Sequence, residues 1–304
     1  MMARRIVAAR RRAAVGTEYT WLLKTTSSDA AYQMESAGAT ANWEAVYDAD
    51  GTLIANAAGE NPTFDLSGNT SNAVVAIRTA DAITATAADV TDLWISNSLT
   101  SFDASALTNV TDCTGAWYDN NLTSFDASGL ISVTTCLEAW LFNNLTSFDA
   151  SALTNVTDCA GAWESNSLAS FDASGLTSVT TCAYAWLFNN LISFDASALT
   201  NVTDCTYAWY NNNLTSFDAS GFSTMGVPVA DCFFDSWTGG TNALNAASVE
   251  SILVNIDLSG QSAPAIGTDI SISTDGSSLT SAAQTAVTNL KAKGWTPHID
   301  GVYV

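Results

Sequence analysis

The chain has 304 residues, of which 47% are hydrophobic and only 13% are charged, and its formal net charge is −21. Ten Trp, twelve Phe and eight Tyr are enough to bury a core, which excludes disorder for most of the chain. The acidic balance argues against nucleic-acid binding by the body of the chain, because phosphate contacts need Lys and Arg, and against adhesion to an anionic membrane.

The first segment, residues 1–15, is predicted to be a basic arm. It holds five of the nine basic residues and no acid before Val15: Arg4, Arg5, Arg10, Arg11 and Arg12. Its longest apolar run, Ile6–Ala9, is shorter than the roughly 7–15 residues of a secretory signal, so export by the general secretory route is not expected. The arm is a candidate anchor into a larger acidic assembly; the alternative is a disordered tail.

Residues 16–88 are predicted to form a small β domain that caps the first repeat. Strands are expected around Trp21, Trp43 and Val74, and Asp50-Gly51 indicates a hairpin between two of them. A cap is needed at this end because an exposed sheet edge promotes aggregation.

A block of 23 residues recurs through the predicted repeat region, residues 89–243. Its copies, called coils below, begin at Leu99, Leu122, Leu145, Leu168, Leu191 and Leu214. Ala and Gly alternate at one position of successive coils, so the duplicated unit has 46 residues. The Leu, Phe and Ala spacing predicts an inward-facing strand, and Cys113–Asn120 a short helical segment capped by Thr111 or Asp112. Asn120 and Asn121 are expected to turn the chain through left-handed geometry.

The sequence LTSFDASALTNVTDC, followed by Ala-Trp, resembles the leucine-rich repeats of the BspA-like surface-protein family. The six coils that carry it cover roughly half of the chain, with Cys in the family's usual Met column and Ala104 in place of its second Leu. The resemblance implies a right-handed leucine-rich-repeat solenoid used for adhesion or recognition, and it implies no catalytic residue.

The final segment, residues 244–304, is predicted as an α/β cap, and it loosely resembles the segment that follows such repeats in phage and bacterial proteins. Helices are expected over Ser248–Ile256 and Ser281–Lys293, the second opened by a capping box from Ser281 to Gln284. Closing strands are expected at Trp295 and at 302–304. The predicted fold class is therefore α/β: a leucine-rich-repeat solenoid of 23-residue coils with one parallel β-sheet and two caps.

Three columns of the repeat are interpreted as structural. The cysteines recur at one phase, which favours a reduced core ladder over disulfides: Cys113, Cys136, Cys159, Cys182, Cys205 and Cys232. The tryptophans are expected in the core, with carbohydrate stacking as the alternative: Trp94, Trp117, Trp140, Trp163, Trp186 and Trp209. The asparagines are expected to hydrogen-bond to one another along the stack: Asn97, Asn120, Asn143, Asn166, Asn189 and Asn212.

An aspartate column is the candidate binding face. Its members lie between an inward Phe and an inward Ala, so they point outward: Asp103, Asp126, Asp149, Asp172, Asp195 and Asp218. Serines flank them on the same face, among them Ser101, Ser105, Ser124 and Ser128. Carboxylates at strand spacing repel one another, so a basic partner, a cation such as Ca²⁺ or screening by salt must offset the repulsion.

The sequence predicts a non-enzymatic structural or recognition protein. The preferred interpretation is a phage virion component (tail, fibre or capsid-surface protein) that meets a host receptor or other virion proteins within a larger assembly. The alternative is a bacterial cell-surface adhesin. A glycan hydrolase using the aspartates is disfavoured, because equivalent carboxylates offer no asymmetry to separate an acid from a base. Neither membrane insertion nor any cofactor beyond Ca²⁺ is expected.

Overall fold

The computed structural model describes most of the repeat region and the C-terminal segment. The described residues are 90–304, apart from 93, 97, 106, 230–231 and 265–267, and the backbone of six strands before residue 79. The basic arm with its five arginines lies outside the described residues, as does Asn97. The anchoring role of the arm therefore stays a prediction.

The N-terminal strands pair mainly with one another. They are β1 (Trp21–Thr25), β2 (Tyr32–Gln33), β3 (Asn42–Tyr47), β4 (Leu53–Gly59), β5 (Thr63–Phe64) and β6 (Ala73–Arg78). Strands β4, β3, β6 and β1 follow one another in an antiparallel sheet, and β2 pairs with β5. The strands predicted around Trp21, Trp43 and Val74 are confirmed. Strands β3 and β4 pair as a hairpin requires, with Val46 opposite Ala55, while Asp50-Gly51 lies outside the described residues.

Each coil contributes one short strand. These are β7 (Leu99–Asp103), β8 (Ser124–Asp126), β9 (Ser147–Asp149), β10 (Ser170–Asp172), β11 (Ser193–Asp195) and β12 (Ser216–Asp218). Strand β7 also pairs antiparallel with β1, which joins the N-terminal sheet to the repeats.

The repeat strands pair in twos. Strand β7 pairs with β8, β9 with β10 and β11 with β12, each parallel and with identical residues opposite each other. Among the described residues of this region, β8 and β9 fall in separate sheets, and so do β10 and β11. The prediction of one continuous parallel sheet is therefore wrong. The chain is a mixed α/β protein with few helices among its described residues and short parallel strand pairs at regular intervals, compatible with a repeat solenoid.

The alternation of Ala and Gly accounts for this pairing. A Cβ atom on Gly129 would lie 2.6 Å from the carbonyl oxygen of Ser105, and one on Gly175 would lie 2.6 Å from that of Ser151. Glycine is needed where two backbones approach so closely, because any side chain would collide with the neighbouring carbonyl. Ala152, which begins the next pair, carries a methyl group. The 46-residue unit of duplication is thus also the structural unit.

The opposite side of the coils is bonded at every step. Parallel bridges join Asp112 to Thr135, Thr135 to Asp158, and onward through Thr181 to Asp204. The amide of Cys136, for example, donates to the carbonyl of Asp158 at 3.0 Å. We call this series of bridges the second ladder. It continues between the coils of β8 and β9 and between those of β10 and β11, where the strands do not pair.

The predicted helical segment after each Cys is a pair of tight turns instead. The amide of Ala116 donates to the carbonyl of Cys113 at 3.1 Å, and that of Tyr118 to the carbonyl of Gly115 at 3.0 Å. Gly115 and Asp119 have φ values of 59° and 53°, which no α-helix tolerates. The left-handed residue is therefore Asp119 rather than the predicted Asn120. Asp112 does cap the segment, since its Oδ1 accepts from the amide of Thr114 at 2.9 Å.

The core is made of columns that run through the coils. Leu, Ala, Val, Cys and Trp of each coil are buried, and they form one cluster that extends into the C-terminal helices. Consecutive Trp rings from Trp94 to Trp237 stack with centroids 5.3 to 5.7 Å apart. Aromatic faces at this offset attract one another, so the column contributes packing beyond the area it buries.

The C-terminal segment is a second α/β layer. A 3-10 turn (Ser220–Thr224) leads to β13 (Phe233–Trp237), α1 (Ala246–Leu258), β14 (Thr268–Ile272), α2 (Ser281–Ala292), β15 (Trp295–Ile299) and β16 (Val302–Tyr303). Strands β13, β14 and β15 are parallel neighbours, and β16 is antiparallel to β15. Both predicted helices and both closing strands are confirmed.

The predicted cap of α2 is wrong by one residue. Thr280, not Ser281, is the N-cap, and its hydroxyl accepts from the amide of Ala283 at 3.1 Å. Gln284 donates its side-chain amide to the carbonyl of Leu279, so the expected reciprocal box does not form. Gly294 ends the helix at φ 88°, where glycine carries no Cβ penalty.

Helix α1 closes the open edge of the last repeat strand. The amide of Phe217 donates to the hydroxyl of Ser248 at 2.9 Å, and the amide of Ala219 donates to that of Ser251 at 3.0 Å. In the preceding coil, the equivalent Ala196 amide donates to the carbonyl of Asp218. Two serine hydroxyls thus replace the next strand and leave these backbone donors satisfied.

Candidate functional site

The predicted aspartate column lies on one exposed surface. We call the Asp column with its flanking serines the Asp–Ser face: Asp103, Asp126, Asp149, Asp172, Asp195, Asp218, Ser101, Ser105, Ser124 and Ser128. All its aspartates except the partly buried Asp103 are exposed. Asp103 lies directly opposite Asp126 in the strand register, and Ser101 opposite Ser124. The outward direction predicted from alternation is confirmed.

Each aspartate also has a structural task at the end of its strand. The Oδ1 atom of Asp103 accepts from the amide of Ser105 at 3.0 Å, and that of Asp126 accepts from the amide of Ser128 at 2.9 Å. The same bond recurs at Asp149, Asp172, Asp195 and Asp218. Aspartate bonds in this way to the amide two residues ahead, which stabilises a turn. One carboxylate oxygen per coil therefore accepts a backbone amide, which fixes the orientation of the carboxylate on the face.

The turn bond also affects titration. Hydrogen bonds from the Ser151 side chain and amide hold the pKa of Asp149 below its usual range. A carboxylate that accepts such bonds is stabilised in its charged form. At neutral pH Asp149 is therefore ionised on the face.

The Asp–Ser face does not assemble a ready-made metal site. Within the described part of the chain, no three or more His, Cys, Asp or Glu side chains come together in a group that could hold a metal ion. The carboxylates lie in a line, at one per coil, instead of converging on a point. Ca²⁺ binding on this face therefore stays a prediction that needs a direct test.

The Asp–Ser face ends in a groove against the C-terminal layer. The groove has a volume of about 440 Å³ and is lined by Asp195, Asp218, Asn245, Ser248 and Ser251 among others. Two of these lining serines already accept the amides of β12 through their hydroxyls. The groove marks where the repeated face stops and the cap begins.

The cysteine column is confirmed as a reduced core ladder. All six thiols are free and buried. Burial raises the pKa of Cys113, Cys136 and Cys159 above the usual thiol value, so these groups stay protonated. A thiol without thiolate character is neither a nucleophile nor a strong metal ligand.

The tryptophan column is confirmed as core, and its rings offer no face to a sugar. Trp117, Trp140 and Trp163 are fully buried between neighbouring indoles. The indole N–H groups of Trp140 and Trp163 have no hydrogen-bond acceptor among the described residues. These rings therefore act through their packing area.

The asparagine column is structural, but its bonding differs from the predicted amide stack. Asn143 Oδ1 accepts from the amide of Leu122 at 3.0 Å, and its Nδ2 donates to the carbonyl of Trp117 at 2.9 Å and to that of Trp140 at 3.2 Å. The amides thus bridge backbone groups of adjacent coils. Equivalent bonds are made by Asn120, Asn166, Asn189 and Asn212.

A second exposed surface was only partly foreseen. The turns after the Trp column carry large aromatic and acidic side chains, and we call this surface the turn edge: Tyr118, Glu138, Phe142, Glu164, Tyr184, Phe188, Tyr207 and Tyr210. The positions that follow each Trp vary in residue type between coils, which predicts partial exposure of Phe142 and Phe188, and both side chains are 46% exposed. Sequence reasoning missed Glu138, Glu164 and Tyr184. The available signal was their variability at positions of an otherwise constant repeat.

Comparison with known proteins does not assign the chain to a family. No protein-family model, curated protein or solved structure matches it. None of the helices among the described residues is long and apolar enough to cross a membrane.

Proposed function

We propose that the protein is a non-enzymatic recognition component of a phage virion (a tail, fibre or capsid-surface protein) that presents a leucine-rich-repeat solenoid of the BspA-like kind to a host receptor or to another virion protein. The proposal draws on the resemblance of the LTSFDASALTNVTDC repeats to adhesive surface proteins. It also draws on the separation of charge between five arginines at one end and an acidic body.

The regularity of the Asp–Ser face carries the proposal. Each coil places one carboxylate at the same point, and the turn bond between Asp and Ser fixes its position. A rigid row of identical groups suits recognition of an extended or repetitive partner, because many equal contacts add up through multivalency. It suits catalysis poorly, because a reaction needs two groups in different environments.

A bacterial cell-surface adhesin is the alternative. The same repeats and the same face support it, and it differs only in where the protein resides. The two are separated by locating the protein: mass spectrometry of purified phage particles against fractionation and surface proteolysis of bacterial cells. We expect the chain in the particles, and particles that lack it would overturn the virion assignment.

The role of the face is tested by removing charge while keeping the turn bond. The triple variant Asp126→Asn, Asp149→Asn and Asp172→Asn retains an acceptor oxygen at each position, so the coils should fold unchanged. We expect it to lose binding of the purified protein to host envelopes, measured by co-sedimentation. The matched control, Asp112→Asn with Asp158→Asn and Asp204→Asn, removes three charges from the second ladder and should bind normally. Equal binding by all three proteins would reject the Asp–Ser face as the recognition surface.

A further inference from the structure

The residues of the turn edge alternate from one coil to the next. Two coils carry the same sequence, AWLFNN, at 139–144 and 185–190, and the coil between them reads AWESNS at 162–167. Glu164 and Ser165 thus stand in the middle coil where its two neighbours have a leucine and a phenylalanine. The same exposed ring flanks this middle coil on both sides.

Backbone bonds fix the positions around this middle coil. The amide of Phe142 donates to the carbonyl of Glu164 at 3.1 Å, and the amide of Ser165 donates to the carbonyl of Leu187 at 2.9 Å. The two phenyl-bearing residues, Phe142 and Phe188, therefore stand two coil steps apart, roughly 10 Å at the spacing of neighbouring strands. Ser165, whose side chain is much smaller than a phenyl ring, stands at the coil between them, and we call this step of the turn edge the notch.

Two acidic side chains lie beside the same glycine of the middle coil. A Cβ atom on the buried Gly161 would lie 3.2 Å from Cγ of Glu138 and 3.8 Å from Oε2 of Glu164, so both acidic side chains lie over this glycine. Partial burial, with the charge of Glu138 beside it, raises the pKa of Glu164 above its usual value. Two like charges held together lose stability unless a positive group joins them.

Aromatic side chains continue the wall of the notch. Tyr184, which occupies the position of Gly161 one coil later, is 42% exposed. Its ring stacks on that of Tyr207 at 5.5 Å, and Phe188 meets Tyr210 edge to face at 6.2 Å. These contacts hold the rings in place, which lowers the entropy lost when a partner binds.

Three of these residues also sit in unusual backbone conformations. Phe142, Tyr184 and Phe188 have φ values of 56°, 60° and 55°. A positive φ is uncommon for a bulky side chain, and the equivalent position to Tyr184 in two other coils is glycine. The exposed positions of these rings therefore require backbone conformations that are higher in energy for bulky residues.

The surrounding charge defines the partner. The 212 residues from 79 to 290 contain 21 acidic residues and no Lys or Arg. Exposed rings beside paired carboxylates attract a planar cation, which gains from both the ring faces and the carboxylate oxygens. Guanidinium fits this combination best, because it stacks on aromatic rings and pairs with carboxylates through fixed donors.

We propose that this notch, formed by Glu138, Glu164, Phe142, Phe188 and Tyr184, binds an arginine side chain of a basic partner protein. The inference rests on the proposed recognition function and assigns a second contact surface, on the turn edge, to the same protein. An arginine enters between Phe142 and Phe188 and pairs with the two glutamates. Each residue then serves as a binding contact.

The test is titration of the full chain with a short fluorescent peptide that contains arginine, followed by anisotropy at low salt. We expect saturable binding that weakens at least about tenfold in Glu164→Gln, since a charge-assisted contact is lost. Phe188→Leu should weaken binding about threefold or more, because it removes one ring face. The same peptide with lysine in place of arginine should bind more weakly.

The matched control is Asp275→Asn, which removes one exposed charge from the C-terminal layer, outside both surfaces, keeps an acceptor for the Ser277 amide and should leave the affinity unchanged. Equal weakening by Glu164→Gln and Asp275→Asn would show diffuse electrostatic attraction and would overturn the notch. Loss of binding in Phe188→Leu but not in Glu164→Gln would exclude a cation as the ligand. Circular dichroism confirms that each variant is folded. Failure here leaves the Asp–Ser triple variant as an independent test of the proposed function.

Discussion

The two long sides of the coils are joined to their neighbours in different ways. On the strand side, hydrogen bonds connect the coils in twos, and the pattern repeats every 46 residues. On the turn side, the second ladder and the asparagine bridges connect every coil to the next, every 23 residues. The hydrogen bonds that run through the whole stack are therefore those of the turns and the buried asparagine amides. The strand-to-strand hydrogen bonds only join coils two by two.

The largest expected loss of stability comes from removing one of the asparagine bridges that join successive coils. In Asn143→Ala, the buried Leu122 amide loses its partner, and the Trp117 carbonyl loses one of its two bonds and keeps the one from Asn120. A buried donor left unpaired costs about 1–3 kcal/mol and a further lost hydrogen bond about 0.5–1.5 kcal/mol, so we expect a loss of about 2–4 kcal/mol in the free energy of unfolding, measured in urea. The neighbouring exposed Asn144→Ala is the control and should change stability little. Similar losses in both variants would contradict the bridging role.

A smaller effect is expected within one strand pair. Gly175→Ala places a methyl group 2.6 Å from the Ser151 carbonyl oxygen, which forces the paired coils apart. Overpacking of this kind costs about 1–3 kcal/mol, to be measured by urea unfolding. The reverse change at the alternate position, Ala152→Gly, should cost less than about 1 kcal/mol. If the two substitutions cost the same, the alternation of Ala and Gly does not set the pairing.

The turn bond of the Asp–Ser face should appear as a pH dependence. The folded-state pKa of Asp149 is lowered by its bonds from Ser151. Its contribution is therefore present above the unfolded-state pKa and is lost as the pH falls through the folded-state pKa. Solvent screening keeps the contribution of this exposed group below about 1 kcal/mol. Ser151→Ala should raise the pKa of Asp149, measured by carbon-detected NMR titration; an unchanged pKa would contradict the assignment.

The smallest effect concerns cations on the face. Counterions screen neighbouring charges over about 8–10 Å at ordinary salt, so general screening can offset the repulsion between the aspartates. We expect CaCl₂ and NaCl at matched ionic strength to give the same midpoint in a thermal melt. A higher midpoint with CaCl₂ alone would establish a specific calcium site, and its loss in the Asp126, Asp149 and Asp172 triple variant would place that site on the Asp–Ser face.

Sequence reasoning succeeded for the features that are determined by residues within a single coil. The Leu-x-x-Phe-x-Ala spacing fixes which side chains face inward, so the strands, the outward aspartates and the buried Cys and Trp columns were all predictable. The helices α1 and α2 were predictable for the same reason, since their periodicity and ends are local. Their ends moved slightly: the cap of α2 is Thr280 instead of Ser281, and α1 spans Ala246–Leu258 instead of Ser248–Ile256.

Sequence reasoning failed where the answer depends on the distance between coils. Gly129 and Gly175 are needed because another coil's carbonyl lies against them, and no pattern within one coil shows that. Asn143 was expected to meet other amides, but backbone groups of two coils lie within its reach. The meeting of Glu138 and Glu164 over Gly161 has the same origin, because residues a full coil apart become neighbours only when the coils stack.

The closure of β12 by α1 has a consequence for how such a chain can change in length. Ser248 and Ser251 accept the amides of Phe217 and Ala219 at the end of the final coil's strand, and that coil carries the close-fitting Gly221. Gain or loss of a single coil would present the helix with an Ala coil and break a pair. Gain or loss of two coils preserves both fits. The array therefore keeps both its helical cap and its coil pairs only where its length changes in steps of 46 residues.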